Sequence, residues 1–230
     1  MELKLAETPD GKFFVYEGDY IGDMLLAGER WEPWVLDAIA GCADRSKVFI
    51  DAGGFYGTHA VFAASRFKHV HVFEPYPDFA KILRRNLALN GVTNVTVHEM
   101  ALGRDERSVR MLDFANIDEI HPMNLGGLSS LTRQQDHSIS ASQVTLDSQM
   151  IANVGVIKID TQGTEFRVLE GSRETIGRYR PIVFIEGSEK QLAVYGDSFR
   201  DVRRFFVNRK YKRLIRLKKN CADFMGVPKR

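Results

Sequence analysis

The sequence predicts an α/β protein whose sheet is mostly parallel, with helices on both faces. Two observations carry this. From Lys47 onward, apolar runs of strand length alternate with amphipathic stretches of helix length, which is the pattern of strand–helix–strand crossovers. The first apolar run, VFIDAG (48–53), ends in an acid and passes through a glycine-rich turn into a helix-like segment. A turn of this kind, at the carboxyl end of a strand, is where α/β proteins hold nucleotide-like ligands. The chain has 230 residues, 44% hydrophobic and 27% charged, enough to bury a real core and ordinary for a globular protein.

The elements follow in order. GKFFVYEGD (11–19) reads as a hairpin or edge strand. GERWEPWVLDAIAGCA (28–43) places Trp31, Trp34, Val35, Leu36 and Ile39 at roughly helical spacing, with Pro33 suited to a first turn. Residues 1–46 are therefore expected to form an N-terminal strand-and-helix lid, with residues 47–230 as the single main domain. Within that domain VFIDAG is a strand, THAVFAASRF (58–67) a helix and HVHVFE (69–74) a strand. PDFAKILRRNLALNG (77–91) is a helix that Gly91 ends. VTVHEMALG (95–103) is a strand, and RSVRMLDF (107–114) a shorter, antiparallel one. Residues 115–143 are polar and break the alternation; so long an irregular insertion is more often functional than idle. VGVIKID (154–160), PIVFIEG (181–187) and the helices TEFRVLEGSRETIG (164–177) and SFRDVRRFFVNRK (198–210) resume it. YKRLIRLKK (211–219) and ADFMGV (222–227) suit a final strand pair.

Composition removes several classes. No apolar stretch is long enough to span a bilayer, and MELKLAETPDGK lacks a signal-peptide core. Cys42 and Cys221 fit no metal or redox spacing. Together these favour a cytoplasmic location. The net charge of +2 is unevenly placed: Arg200 to Lys219 holds ten Lys/Arg and one acid, Asp201. Few aromatics for base stacking accompany that run, so a solvated helix face and a lysine-protected edge strand are preferred to a nucleic-acid patch.

Ligands of such sheets gather at the strand carboxyl ends, which here carry Asp51 to Gly57, Glu74, Met100 to Gly103, Asp160 to Glu165, and Glu186. A triphosphate loop would need a lysine, and residues 53–60 have none. The turn misses the dinucleotide fingerprint by one residue. Glu74, at the end of the next strand, can accept bonds from both hydroxyls of a ribose. Asp51 at the strand tip would repel a pyrophosphate but favour the ammonium and sulfonium of S-adenosylmethionine (SAM). Gly53 and Gly57 allow the backbone to approach a ligand, and the helix start after Gly57 offers free N–H groups to a carboxylate. SAM is thus the expected cofactor.

DAGGFYG, VFEPYPDFAKILRRNLALNG, IKIDTQGTEFRVLEG and PIVFIEG together resemble the FkbM-type methyltransferases, over roughly residues 47–187. The resemblance implies a Rossmann-like class I methyltransferase fold, a seven-stranded, mostly parallel sheet with an antiparallel terminal strand. It further implies methylation of a hydroxyl, often on a sugar or secondary metabolite. By that resemblance Asp51, Gly53, Phe55 and Gly57 match the SAM loop, Glu74 the ribose acid, and Ala101 falls near the adenine. Phe55 stands where Asn is common, and Gln162 where Glu is common.

Methyl transfer to an alcohol needs alignment and a base or a metal. Asp160 is the first candidate base and Glu186 the second; together they suit a shared proton or a divalent cation, although no metal ligand set is assigned. His59, beside the glycine turn, is the third. His98, His121 and His137 are further free histidines, and NLGGLSSL (124–131) has the flexibility of a substrate-gripping loop. The expected function is O-methylation of a saccharide or other polyhydroxylated acceptor. Competing readings are an RNA ribose methyltransferase and a non-catalytic binding module. Ribose methylation typically uses a Lys–Asp–Lys–Glu set, and no lysine lies between Asp160 and Glu186.

Overall fold

The computed structural model describes residues 2–112, 125, 138–212 and 214–229. Strands β1 (Leu3–Thr8) and β2 (Gly11–Tyr16) form an antiparallel hairpin. Helix α1 (Tyr20–Leu26) follows, capped by Asp19, whose carboxylate accepts the Gly22 N–H. Helix α2 (Pro33–Gly41) starts at its proline, where a missing N–H costs nothing. The alternating part then runs β3 (Val48–Ala52), α3 (Thr58–Ala64), β4 (His69–Phe73), α4 (Pro77–Leu89) and β5 (Val95–His98). After an intervening sheet it continues with β9 (Val154–Ile159), α5 (Glu165–Glu170), α6 (Arg173–Tyr179), β10 (Ile182–Glu186), α7 (Glu189–Val194), α8 (Phe199–Asn208), β11 (Ile215–Arg216) and β12 (Asp223–Gly226).

The main sheet has seven strands in the order β11-β12-β10-β9-β3-β4-β5. Strands β10, β9, β3, β4 and β5 are parallel, and β12 is antiparallel to both its neighbours. This is the mostly parallel seven-stranded sheet the sequence implied, with its antiparallel end. Central β3 is buried at all five positions, as a strand covered on both faces must be. Alternation splits its side chains: Phe49 joins Val70, Val72 and Val156 in one core, while Ile50 joins Ile157, Ile159 and Ile185 in the other. The hairpin and α1–α2 lie over the first of these cores. Phe13, Val15, Leu25, Leu36 and Ile39 share it with α3 and α4.

Four differences from the sequence reading have local causes. VTVHEMALG is two strands: β5 pairs with β4, but β6 (Ala101–Leu102) turns away to pair with β8 (Ser138–Val144). With β7 (Arg107–Leu112), antiparallel to β8 as expected, these form a separate three-stranded sheet. Strand β8 thus occupies the end of the segment read as irregular. TEFRVLEGSRETIG is two helices, because Asp147 accepts the N–H groups of Glu174 and Thr175 and so creates a second helix start. Helices α1 and α7 carry too few residues to show a period. His121, His137 and the NLGGLSSL stretch lie outside the described residues, except Leu125. No helix among the described residues is long and apolar enough to cross a membrane.

Candidate active site

A cavity of about 300 Å³ opens at the carboxyl ends of the parallel strands, the position the topology dictates. Its floor is made by two turns. In the first, between β3 and α3, Gly53 adopts φ +89, and a Cβ there would overlap the carbonyl oxygen of Asp160. The two backbones touch because Gly53 is bare. Phe55 follows at φ 46, a conformation that strains a bulky residue. Its N–H donates to Glu74 Oε2 (2.8 Å), while Tyr76 N–H donates to Glu74 Oε1 (2.9 Å). Each Glu74 oxygen keeps one acceptor position for a ligand hydroxyl. Burial pushes the Glu74 carboxyl up to about 7.

In the second turn, after β9, Glu165 is buried and accepts the N–H groups of Thr161 (2.9 Å) and Gly163 (2.9 and 3.0 Å). That holds Asp160 and Gln162 toward the cavity. Gln162 donates to Asp160 Oδ1 at 2.8 Å and reaches Glu186 Oε2 at 3.3 Å. Burial, and then the neighbouring Asp160, Glu165 and Asp223, push Glu186 up to about 9. The direction of the shift favours the protonated form, in which Glu186 can donate a hydrogen bond.

Between the turns lies Lys158. Its ammonium is 3.4 Å from Asp51 Oδ1 and 3.5 Å from Asp160 Oδ2. Burial works against its charge, but Asp51, Asp160 and Glu32 outweigh that and hold its pKa above the ordinary lysine value. Asp51 is fully buried and does not line the cavity. This corrects the electrostatic argument made from sequence: the charge assigned to a cationic ligand is met by Lys158. Gly57 also stays out of the cavity, at φ +83 and packed against Leu83. Gly53, Phe55, Glu74, Ala101, His59, Asp160 and Glu186 do share its wall. His98 lies elsewhere, stacked on Phe73 and His71.

Two charged wall residues were missed. Lys158 sits two positions before Asp160, on the same face of β9. A lysine inside the apolar strand VGVIKI had to have buried partners, and that was its signal. It also lies outside the lysine-free span from Asp160 to Glu186. Glu32 is the other. It comes from the N-terminal segment, 3.3 Å from His59 Nε2, and nothing in its sequence neighbourhood marks it. Burial, then Lys158, push His59 down to about 4. No group of three or more His, Cys, Asp or Glu among the described residues is arranged to hold a metal ion.

Residues 51–213 match the methyltransferase FkbM domain. The chain belongs to the FkbM methyltransferase family. Methyltransferase 1 of Beauveria bassiana (strain ARSEF 2860) is 22% identical over 147 residues, 53% of this chain and 57% of that protein. The match thus spans little more than half of either. Methyltransferase FkbM from Methylobacillus flagellatus KT superposes with a TM-score of 0.50 at 17% identity, over 79% of this chain and 44% of that one. M. jannaschii TYW2, solved in complex with AdoMet, gives a TM-score of 0.50 at 12% identity, over 97% and 83%. At these identities the likeness establishes the fold, which is that of SAM-binding methyltransferases. The cavity suits SAM by its own features. The bare Gly53 cradle, the half-used Glu74 carboxyl and a volume of about 300 Å³ fit an adenosyl ligand.

Proposed function

We propose that this FkbM-family protein is a SAM-dependent O-methyltransferase acting on a hydroxyl of a saccharide or similar polyhydroxylated acceptor. One observation carries the reading. The wall of Asp160, Gln162 and Glu186 offers a carboxylate, a carboxamide and a protonated acid side by side, a mixed donor and acceptor surface of the kind that grips a polyol. The Gly53 and Phe55 backbone would hold the methionine end of SAM, Glu74 the ribose, and Ala101 the adenine side. SAM supplies an electrophilic methyl on a positively charged sulfur. Asp160 would align the acceptor hydroxyl toward that methyl, and Glu186 would donate to a neighbouring hydroxyl. Ile21 and Trp31, from residues 1–46, close the same cavity and limit water access.

Incubation with methyl-labelled SAM and a panel of glycans and sugar-bearing small molecules tests this. Label on a hydroxyl oxygen is the expected result. Absence of SAM binding by calorimetry sinks the proposal, and label on RNA transfers it to ribose methylation. The exposed Arg203, Arg204, Lys212 and Lys219, which have no ion pair among the described residues, are what make the RNA arm worth running.

A further inference from the structure

Three features single out Glu32. Its backbone is left-handed, at φ 46 and ψ 55. That conformation is costly for glutamate, and the following Pro33 restricts the position further. Its side chain is 13% exposed, and its Oε2 lies 3.3 Å from His59 Nε2, on a side chain 6% exposed. That nitrogen has no aligned hydrogen-bond partner among the described residues. Finally, Glu32 shares the cavity wall with Asp160 and Glu186. A strained, partly buried acid lining a cavity, beside an unsatisfied imidazole, is a feature a fold does not keep for stability.

Resting on the O-methyltransferase reading, we propose that Glu32 takes the proton of the acceptor hydroxyl, with His59 as its positioning partner. The other candidates are engaged or wrongly charged. Asp160 Oδ1 accepts from Gln162, and its Oδ2 faces Lys158. Burial and the acids around Glu186 favour its protonated form, and its Oε2 accepts from Gln162. His59 resists protonation, so it does not keep the proton. Burial, then Asp160, push Glu32 up to about 7, with Lys158 acting against them; a base poised near the working pH transfers protons best. The groups around it are His59 on α3, Lys158 on β9 and Asp160 just after it, Glu186 on β10 and Asp223 on β12. In the step, the acceptor O–H proton passes to the Glu32 carboxylate as the new O–CH3 bond forms. The methyl–sulfur bond breaks with its electron pair left on sulfur, and Glu32 later releases the proton to water.

The test compares wild type with Glu32→Gln and Glu32→Gly; glycine accepts the left-handed backbone, so that variant relieves strain. Carbon-13 carboxyl spectra of the SAM-free protein are recorded across pH. A resonance missing from Glu32→Gln is expected to titrate near 7; an ordinary carboxylate midpoint overturns the proposal. Both variants are expected to bind SAM within about twofold of wild type, to lose about 100-fold or more in turnover, and to lose the acidic limb of the pH–rate profile. A methylating wild type whose Glu32→Gln variant keeps its rate within about threefold overturns the role of Glu32 alone. A wild type that binds SAM but methylates no acceptor overturns the O-methyltransferase reading and this role with it.

Discussion

The two turns under the cavity are built by opposite means. The β3–α3 turn works by omission. Gly53 lacks the Cβ that would strike Asp160, and Gly54 lacks one that would strike Val72. The β9–α5 turn works by addition, with Glu165 gathering the Thr161 and Gly163 N–H groups. Lys158 joins the two, pairing with Asp51 from one side and Asp160 from the other. Where backbones must touch, side chains are removed. Where a loop must stand open to a ligand, a buried carboxylate satisfies the amides that water would otherwise reach.

Removing the link should cost most. Lys158→Met leaves Asp51 buried without its partner, and we expect a loss of about 3–5 kcal/mol in urea denaturation. A loss near zero would mean that the turns hold each other without the ion pair. Gly53→Ala comes next, at about 3 kcal/mol, from strain at φ +89 and displacement of the Asp160 carbonyl. SAM binding by calorimetry should fall with it. Gly41→Ala, at a position with open space around it, is the control and should be neutral or stabilising.

Glu165 makes the second turn sensitive to pH. Burial pushes its carboxyl up to about 7 from an ordinary 4.5, so between these values the folded protein keeps a proton that the unfolded chain releases. Stability from this group is complete below the lower value and is lost as pH rises toward the upper one. Glu165→Gln cannot titrate. Wild type should therefore lose about 2–3 kcal/mol relative to that variant on going from pH 4.5 to pH 7, read from denaturation midpoints. The glycine turn has its own titrating group in Glu74, which accepts the Phe55 N–H and is likewise pushed up to about 7 by burial. Apart from the Gly41→Ala control, the smallest effect is expected from Trp34→Phe. It deletes the indole N–H bond to Asp223 Oδ2 (2.8 Å), worth about 1 kcal/mol, and thermal melting should show a correspondingly small shift.

The contrast also explains what could be read from the chain. The glycine turn, Glu74 and the mostly parallel sheet were legible because omission leaves a fixed local spacing and parallel strands leave apolar runs. The other half of the cavity was only partly so. Asp160 and Glu186 stand at strand ends, but Glu165 looks like any acid in a first helical turn. Glu32, His59, Lys158 and Asp223 are brought together from four distant segments. The burial of Asp51 was misjudged for the same reason: its partner, Lys158, is more than a hundred positions away. The separate sheet of β6, β7 and β8 escaped because β6 has only two residues, too few for any alternation to show.

The N-terminal segment carries both tryptophans of the chain. Trp31 faces the cavity, edge-on to Tyr20 at 6.1 Å. Trp34 is bonded to Asp223 and lies under the Lys218 ammonium at 3.9 Å. One of the protein's two indoles, Trp31, thus emits from the wall that a ligand would touch. Filling the cavity should change its intensity and wavelength with no label attached, and Trp31→Phe and Trp34→Phe would divide the signal between the cavity and the β12 side.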